Sequence, residues 1–474
     1  MSDTRPLLGL THDKIVATAL LILLLLLGGA SRADAMSQGF VRAIALCAIA
    51  AMFWTAGRRP VLDCRPLIIF LAAWTGLIAL QIVPLPPALW SSLPGREILV
   101  RFYEVMGIAQ PWRPISLQPA ATTNALLAML VPWATLLLAG KLRDDAMTVE
   151  FLLAGFLLIT MAIGALQMAS GGHSFYFYRI TNEGSPVGIF ANRNHQAFVS
   201  VMLIPLLVRI IFRTRRNRPL SPSVWFLIAG VTFAVLINIL ITGSRMGLLL
   251  FLVAAAATGA QLPSYGKHRA LMGKERKNNA SSKRNAGVRN RKLVLLTLAV
   301  LGILVTAMGI LAAYSDRFIA LSRLAAGGES EEGRLKYIPP VWELVEKYFP
   351  LGSGFGTFPT VFKIDEPDSM LRLSYLNHAH NDVLEILVEG GVISGILALA
   401  FFAFWVARSL AVWLARRGTA DSEQIRQARL GSVLSGLLLL GSVTDYPLRT
   451  PTCAAIFAIS CFWLFRKGEP SFDH

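Results

Sequence analysis

Residues 377–406 read Asn377-His378-Ala379-His380-Asn381-Asp382, then Val383 to Glu389, Gly390-Gly391, and an apolar run that continues up to Arg408. A run of that length crosses ~30 Å of hydrocarbon as one helix. The polar hexapeptide stands at its mouth. The chain has 7 histidines, and two of them sit here. An imidazole titrates near neutrality, so it can take a proton from a hydroxyl. A general base where lipid meets water points to chemistry on a substrate carried in the bilayer.

The composition agrees with a chain built of such runs. Hydrophobic residues make up 54% of the 474 residues and charged residues 15%, with mean hydropathy +0.56. Those values lie outside the range of a soluble globular domain. Hydropathy predicts an all-α polytopic membrane protein, one integral domain over 1–474, with about twelve spans. They fall near 15–30, 40–56, 66–82, 122–140, 148–169, 194–212, 223–241, 246–260, 293–314, 388–406, 430–445 and 452–465. Ala33-Asp34-Ala35 imitates a signal-peptidase site, but the preceding run is near spanning length, which favours an uncleaved first helix. Cys47, Cys64, Cys453 and Cys461 have no zinc-site spacing, and no structural disulfide is expected.

Most of the 45 Lys and Arg residues fall in segments that are cytoplasmic if both termini are, as the positive-inside bias requires. The formal charge of +17 is concentrated in 261–292. Tyr265 is the single aromatic there, so stacking platforms for nucleic acid are absent. The segment reads as a basic cytoplasmic connector that anchors topology, with generic contact to acidic lipid headgroups. Two outer segments are large enough to carry function. Residues 83–121, with Trp90, Tyr103 and Trp112, form a cap on the membrane surface. Residues 315–387 form a large loop, in which Arg334 to Phe349 has helical apolar spacing and lies along the surface.

Polar side chains collect at the outer ends of the spans. They are Asn192-Arg193-Asn194-His195, Thr242-Gly243-Ser244-Arg245, His378 to Asp382, and Asp445, Tyr446 and Arg449. Ionisable groups at membrane depth cost ~2.5–3.5 kcal/mol and usually mark function or a partner. Arg193 and Arg245 have no acidic neighbour in sequence. A pair of guanidinium forks matches the oxygens of a diphosphate and can stabilise its charge as it leaves. Snorkelling at helix ends, or ion pairs with Asp382 or Asp445, is the structural alternative. His380 is the candidate base and His378 its orienting neighbour; a histidine satisfied by interfacial hydrogen bonds is the plainer reading. Glu385 suits the positive end of the following helix. Gly352-Ser353-Gly354-Phe355-Gly356 follows no predicted strand, so a sharp, flexible turn is expected in place of a nucleotide loop. Asp365, Glu366 and Asp368 read as solvated charge.

Taken in order, Gly188 to His195, Thr242 to Gly247, the glycine turn from Leu351 to Phe358, and His378-Ala379-His380-Asn381-Asp382 resemble the O-antigen ligase and O-antigen polymerase superfamily of bacterial envelope enzymes. That family's signature places a His-Asn pair about ten residues before a glycine, which His380, Asn381 and Gly391 reproduce; Ser394 fits the small residue that follows. The resemblance implies an inverting glycosyltransferase similar to other all-helical lipid-donor enzymes, acting without metal or other cofactor. The lack of an Asp-x-Asp pair agrees with that. It implies His380 as the base, Arg193 and Arg245 on the diphosphate of an undecaprenyl-linked glycan, and Arg334 as a further candidate. His195, His378 and Asn381 are expected around the substrate.

The implied place is the bacterial inner membrane, with the site on the periplasmic face. A ligase would accept lipid A-core, a polymerase the next carrier-linked repeat unit, and a third variant a protein. A transporter is the rival from another class. It would put ionisable residues near mid-bilayer and show two similar halves, and neither is apparent in this sequence.

Overall fold

The computed structural model describes residues 11–54, 62–214, 221–272, 336–371, 375–415 and 423–466. The expected span at 293–314, Arg334, most of the basic 261–292 segment and 315–335 of the long loop lie outside the described residues. The described chain is mostly helical, and its sheet is a two-stranded ribbon. Among the described residues, seven helices are long and apolar enough to cross a membrane. They are Met36–Trp54, Pro119–Lys141, Arg143–Ala169, Arg193–Thr214, Pro222–Thr242, Arg245–Leu262 and Asp382–Leu414. His12–Leu27, Arg65–Leu80, Glu423–Gly441 and Pro451–Phe465 are also helices at expected positions, but they are not among the seven.

Pro451–Phe465 is an apolar helix shorter than the seven. It has 15 residues, and Cys453, Ala455, Ile456, Ile459, Phe462 and Leu464 are all buried inside the protein. A helix apolar on every side can be a core helix as readily as a lipid-facing one.

The chain forms two compact units. The first gathers Met1–Asp144, Glu329–Trp413 and Leu438–His474. Here Thr452 binds the end of the His12–Leu27 helix, through N to Gly28 O at 3.0 Å and Oγ1 to Leu25 O at 2.8 Å. A Cβ on Gly28 would lie 2.7 Å from Thr452 N, so this approach requires glycine. Pro84–Leu85 pairs antiparallel with Arg113–Pro114, and Ser116 N donates to Gln81 O at 3.0 Å. These contacts close the base of an excursion between two apolar helices. Arg96 is buried beneath it. Its guanidinium donates to Pro94 O at 2.8 Å, to Ile115 O and to Gly352 O at 2.9 Å. Burial pushes its pKa down to about 10, so it stays charged at neutral pH and ties the cap to the glycine turn.

The amphipathic spacing read from Arg334 to Phe349 appears as the helix Ile338–Tyr348, whose Val341, Leu344 and Tyr348 are buried in one cluster with Phe358 and Phe362 of Phe358–Asp365. Asp365, expected as solvated charge, is exposed and pairs with Lys347 at 2.7 Å.

The second unit comprises Asp145–Gly328 and Leu414–Leu437. Its Arg193–Thr214 helix carries fully covered Ala197, Phe198, Val199 and Val201. Buried Arg209 contacts Glu150 Oε1 at 3.4 Å and pairs closely with Glu423. Arg213 reaches the same two carboxylates at 3.1 and 3.0 Å. Arg426 also reaches Glu423, at 3.3 Å, so three guanidinium groups gather on two carboxylates, the kind of opposite-charge pairing that lets ions be buried.

Candidate active site

In the first unit, Asn381 starts the Asp382–Leu414 helix. Its Oδ1 accepts from Val383 N at 3.0 Å and Leu384 N at 3.1 Å, satisfying two amides that lack intrahelical partners. The residue before it, His380, takes φ +51°, a left-handed conformation that side chains other than glycine seldom adopt. Such a bend costs about 1–2 kcal/mol and turns the His380 ring out of the helical path.

That ring lies beside Asp445, Nδ1 to Oδ1 at 3.5 Å, and its side chain is 27% exposed while Asp445 is fully buried. The Tyr446 ring is 5.2 Å from His380 and 4.2 Å from His378. His378 behaves differently. It is buried, and its Nδ1 lies 2.8 Å from Glu385 Oε1. The other Glu385 oxygen accepts from Ala379 N at 2.8 Å. Glu385, expected to serve the helix dipole, is therefore a fixed member of the histidine loop. Of the two imidazoles, His380 is the more exposed, and it has a buried carboxylate on its Nδ1 side.

Beneath the loop a guanidinium joins three carboxylates. Arg449 Nη1 lies 2.8 Å from Glu389 Oε2 and 3.2 Å from Glu385 Oε1, and its Nε lies 3.5 Å from Asp382 Oδ1. Burial alone would lower the Arg449 pKa; the three carboxylates raise it above the usual guanidinium range. Asp382 N also donates to Ser442 O at 2.9 Å. The Asp445–Arg449 turn is thus bound to the histidine loop at both ends.

Gly391 explains the distal half of the signature. It has φ +61° and ψ −153° inside the Asp382–Leu414 helix, so the helix breaks there. The break admits the turn at Pro350: Val392 N donates to Pro350 O at 2.8 Å, and a Cβ on Gly391 would lie 2.0 Å from that oxygen. Ser353 N and Gly354 N donate to Val388 O and Glu389 O, both at 2.9 Å. Phe358 N donates to Glu389 Oε1 at 3.2 Å. The glycine turn, expected to be sharp and flexible, is sharp but held: Gly352, Gly354 and Gly356 have positive φ, Ser353 N and Gly354 N bond the broken helix, and Phe355 N donates to Gln81 Oε1 at 3.0 Å.

In the second unit, Arg193 and Arg245 are the first residues of two helices, both half-buried. Asn192 caps the first, its Oδ1 accepting from Asn194 N at 2.8 Å. Gly243, at φ +67°, closes the preceding helix so that the second can start at Arg245. A Cβ on Gly247 would lie 2.9 Å from Ala197 Cβ, so these helices touch within about one turn of their starts. Two arginines at adjacent helix N-termini add their charge to the positive dipole ends, a setting that attracts anions. His195 is placed in the interior, edge-on to Phe190 at 6.5 Å. The spacing alone did not bring out Glu385, Glu389, Asp445 and Arg449 as one cluster. Their signal was faint: carboxylates four residues apart on an otherwise apolar helix, and an aspartate and arginine in a short turn.

The chain is a membrane protein of helical build, with a histidine–carboxylate loop in one unit and a paired-arginine corner in the other. Residues 230–399 match the family model for O-antigen ligase, which supports assignment to the O-antigen ligase superfamily. The match takes in Arg245, the glycine turn, His380, Asn381 and Gly391. Comparison with curated proteins gave no match.

Proposed function

We propose that this protein is a glycosyltransferase of the O-antigen ligase type, moving a glycan from undecaprenyl diphosphate to an acceptor hydroxyl such as that of lipid A-core. The reaction takes place without metal at the periplasmic face of the bacterial inner membrane, in a chain of about twelve spans with both termini cytoplasmic. His380 removes the proton from the acceptor hydroxyl. The oxygen attacks the anomeric carbon, the bond to the diphosphate breaks on the opposite face, and the configuration inverts. Undecaprenyl diphosphate leaves as an anion whose charge Arg193 and Arg245 hold. Asp445 orients the imidazole from its Nδ1 side. His378 and Asn381 shape the loop that carries the base, and His195 and Arg334 are assigned to the surrounding substrate region.

The observation that carries this reading is His380 itself. It is held in a left-handed bend, beside a buried carboxylate, inside the segment that matches O-antigen ligase. The diphosphate is already a good leaving group, so a base, charge stabilisation and positioning suffice. The test uses purified protein in vesicles with a labelled undecaprenyl-diphosphate repeat unit. The donor is expected to stay unchanged until lipid A-core is added, and glycan then to move onto it. A ladder of longer carrier-linked glycans without that acceptor would identify a polymerase instead.

A second prediction addresses the arginines. Arg245→Lys is expected to slow transfer by roughly tenfold or more, about 1.4 kcal/mol in barrier, because a point charge cannot reproduce a bidentate fork. Equal rates for the lysine variant in the same vesicles would show that charge alone, or helix packing, is what the position supplies.

A further inference from the structure

The excursion closed by the Pro84–Leu85 and Arg113–Pro114 ribbon carries the short helix Glu97–Val105. At about 100° per residue its side chains divide into three strips. Leu99, Val100 and Tyr103 form the strip turned to the protein and are half-buried; Tyr103 stands against Trp90 with ring centroids 6.2 Å apart and accepts from Arg113 Nη1 at 2.6 Å. Glu97, Arg101 and Glu104 form a polar strip, all exposed. Between these two lie Ile98, Phe102 and Val105, every one more than half exposed. The chain that leaves the helix adds Met106, Ile108 and Trp112, equally exposed.

The preceding apolar helix, Arg65–Leu80, exposes Ile69 as well. Apolar exposure does not stop where the Arg65–Leu80 helix ends: Leu80, Val83 and Leu89 carry it into the cap. The base of the excursion sits between that helix and the membrane-crossing helix Pro119–Lys141, so the short helix is tethered close to the ends of two apolar helices. A helix with separate water, protein and apolar strips, and a tryptophan at its exit, has the build of an interfacial helix.

We propose that Glu97–Val105 lies flat in the headgroup boundary of the bilayer, with Ile98, Phe102 and Val105 inserted toward the acyl chains and Trp112 at the same level. The occupant of this face is lipid. Arg96, the residue before the helix, donates to Gly352 O of the glycine turn, and that turn is bonded to the broken helix behind the histidine loop. The lipid contact therefore holds the cap against the element that shapes the loop.

The test uses the full chain with Cys47→Ser, leaving the buried Cys64, Cys453 and Cys461. An environment-sensitive fluorophore is attached at Phe102→Cys or, as the polar control, at Glu104→Cys. The protein is placed in phosphatidylethanolamine–phosphatidylglycerol vesicles. Quenching by a nitroxide near the top of the acyl chain is expected to be several-fold stronger at 102 than at 104, and quenching by aqueous iodide several-fold stronger at 104. Equal iodide quenching at both positions would put the face in water and overturn the proposal. Protection of 102 from both quenchers would put protein on it, a second copy included, and would overturn it equally.

Discussion

His380→Ala is expected to lower glycan transfer by a factor of about 10² to 10⁴, the range a positioned general base supplies, with the protein still inserted in the membrane. The geometry sets the controls. Because His380 sits at φ +51°, alanine there adds backbone strain to the loss of the imidazole. His380→Asn removes that ambiguity, since asparagine tolerates the left-handed region better than other side chains. Both variants should be equally inactive while eluting as folded protein. Asp445→Asn keeps the shape of the buried partner and removes its charge, so a smaller loss is expected. Groups that act as a unit are not additive. The His380→Ala/Asp445→Asn pair should therefore be no slower than His380→Ala alone. A wild-type rate in His380→Asn would sink the assignment of the base, and simple multiplication of the two losses would separate Asp445 from it.

Much of this site is legible in the chain because expensive residues are rare in apolar surroundings. His380, Arg193 and Arg245 stand out as ionisable groups at the ends of apolar runs, and each lies at a helix start. Asn381 and Gly391 are legible as a pair ten residues apart, and the structure gives each a backbone reason: one caps the helix, the other breaks it. What a single sequence conceals is pairing over distance. Arg449 and Glu389 are 60 residues apart, and nothing local marks them as partners. Nor does hydropathy separate burial in protein from burial in lipid. Pro451–Phe465 is covered by its own unit, so a run that reads as a span is also a core helix. The glycine turn misleads for a related reason. Positive-φ glycines signal a sharp bend, but whether the bend moves depends on partners such as Glu389 O that only the fold supplies.

Arg449→Met should be the most destabilising single change within the histidine-loop cluster. Methionine approximates the volume of the aliphatic stem, so packing is largely kept and the loss is electrostatic. Removing one partner from a buried ion cluster costs about 3–5 kcal/mol, a large share of the 5–15 kcal/mol that holds a folded domain together. The expected result is a marked drop in Tm in detergent and a poor yield of folded protein. The cause can be separated from a general intolerance of the site. Glu389 Oε2 gives Arg449 its shortest contact, while Oε1 accepts from Phe358 N. Glu389→Gln retains the second bond and deletes the charge. Glu389→Gln/Arg449→Met should therefore be more stable than Arg449→Met alone, since one buried carboxylate no longer needs a cation. Arg449→Lys should fall between wild type and Arg449→Met, because an ammonium cannot reach Asp382 through one nitrogen and Glu385 and Glu389 through another. If the double variant is no more stable than Arg449→Met, the arginine acts through packing and not as the counter-charge of the loop. If it is more stable yet inactive, the cluster has a second role, keeping the Asp445 turn in register with His380.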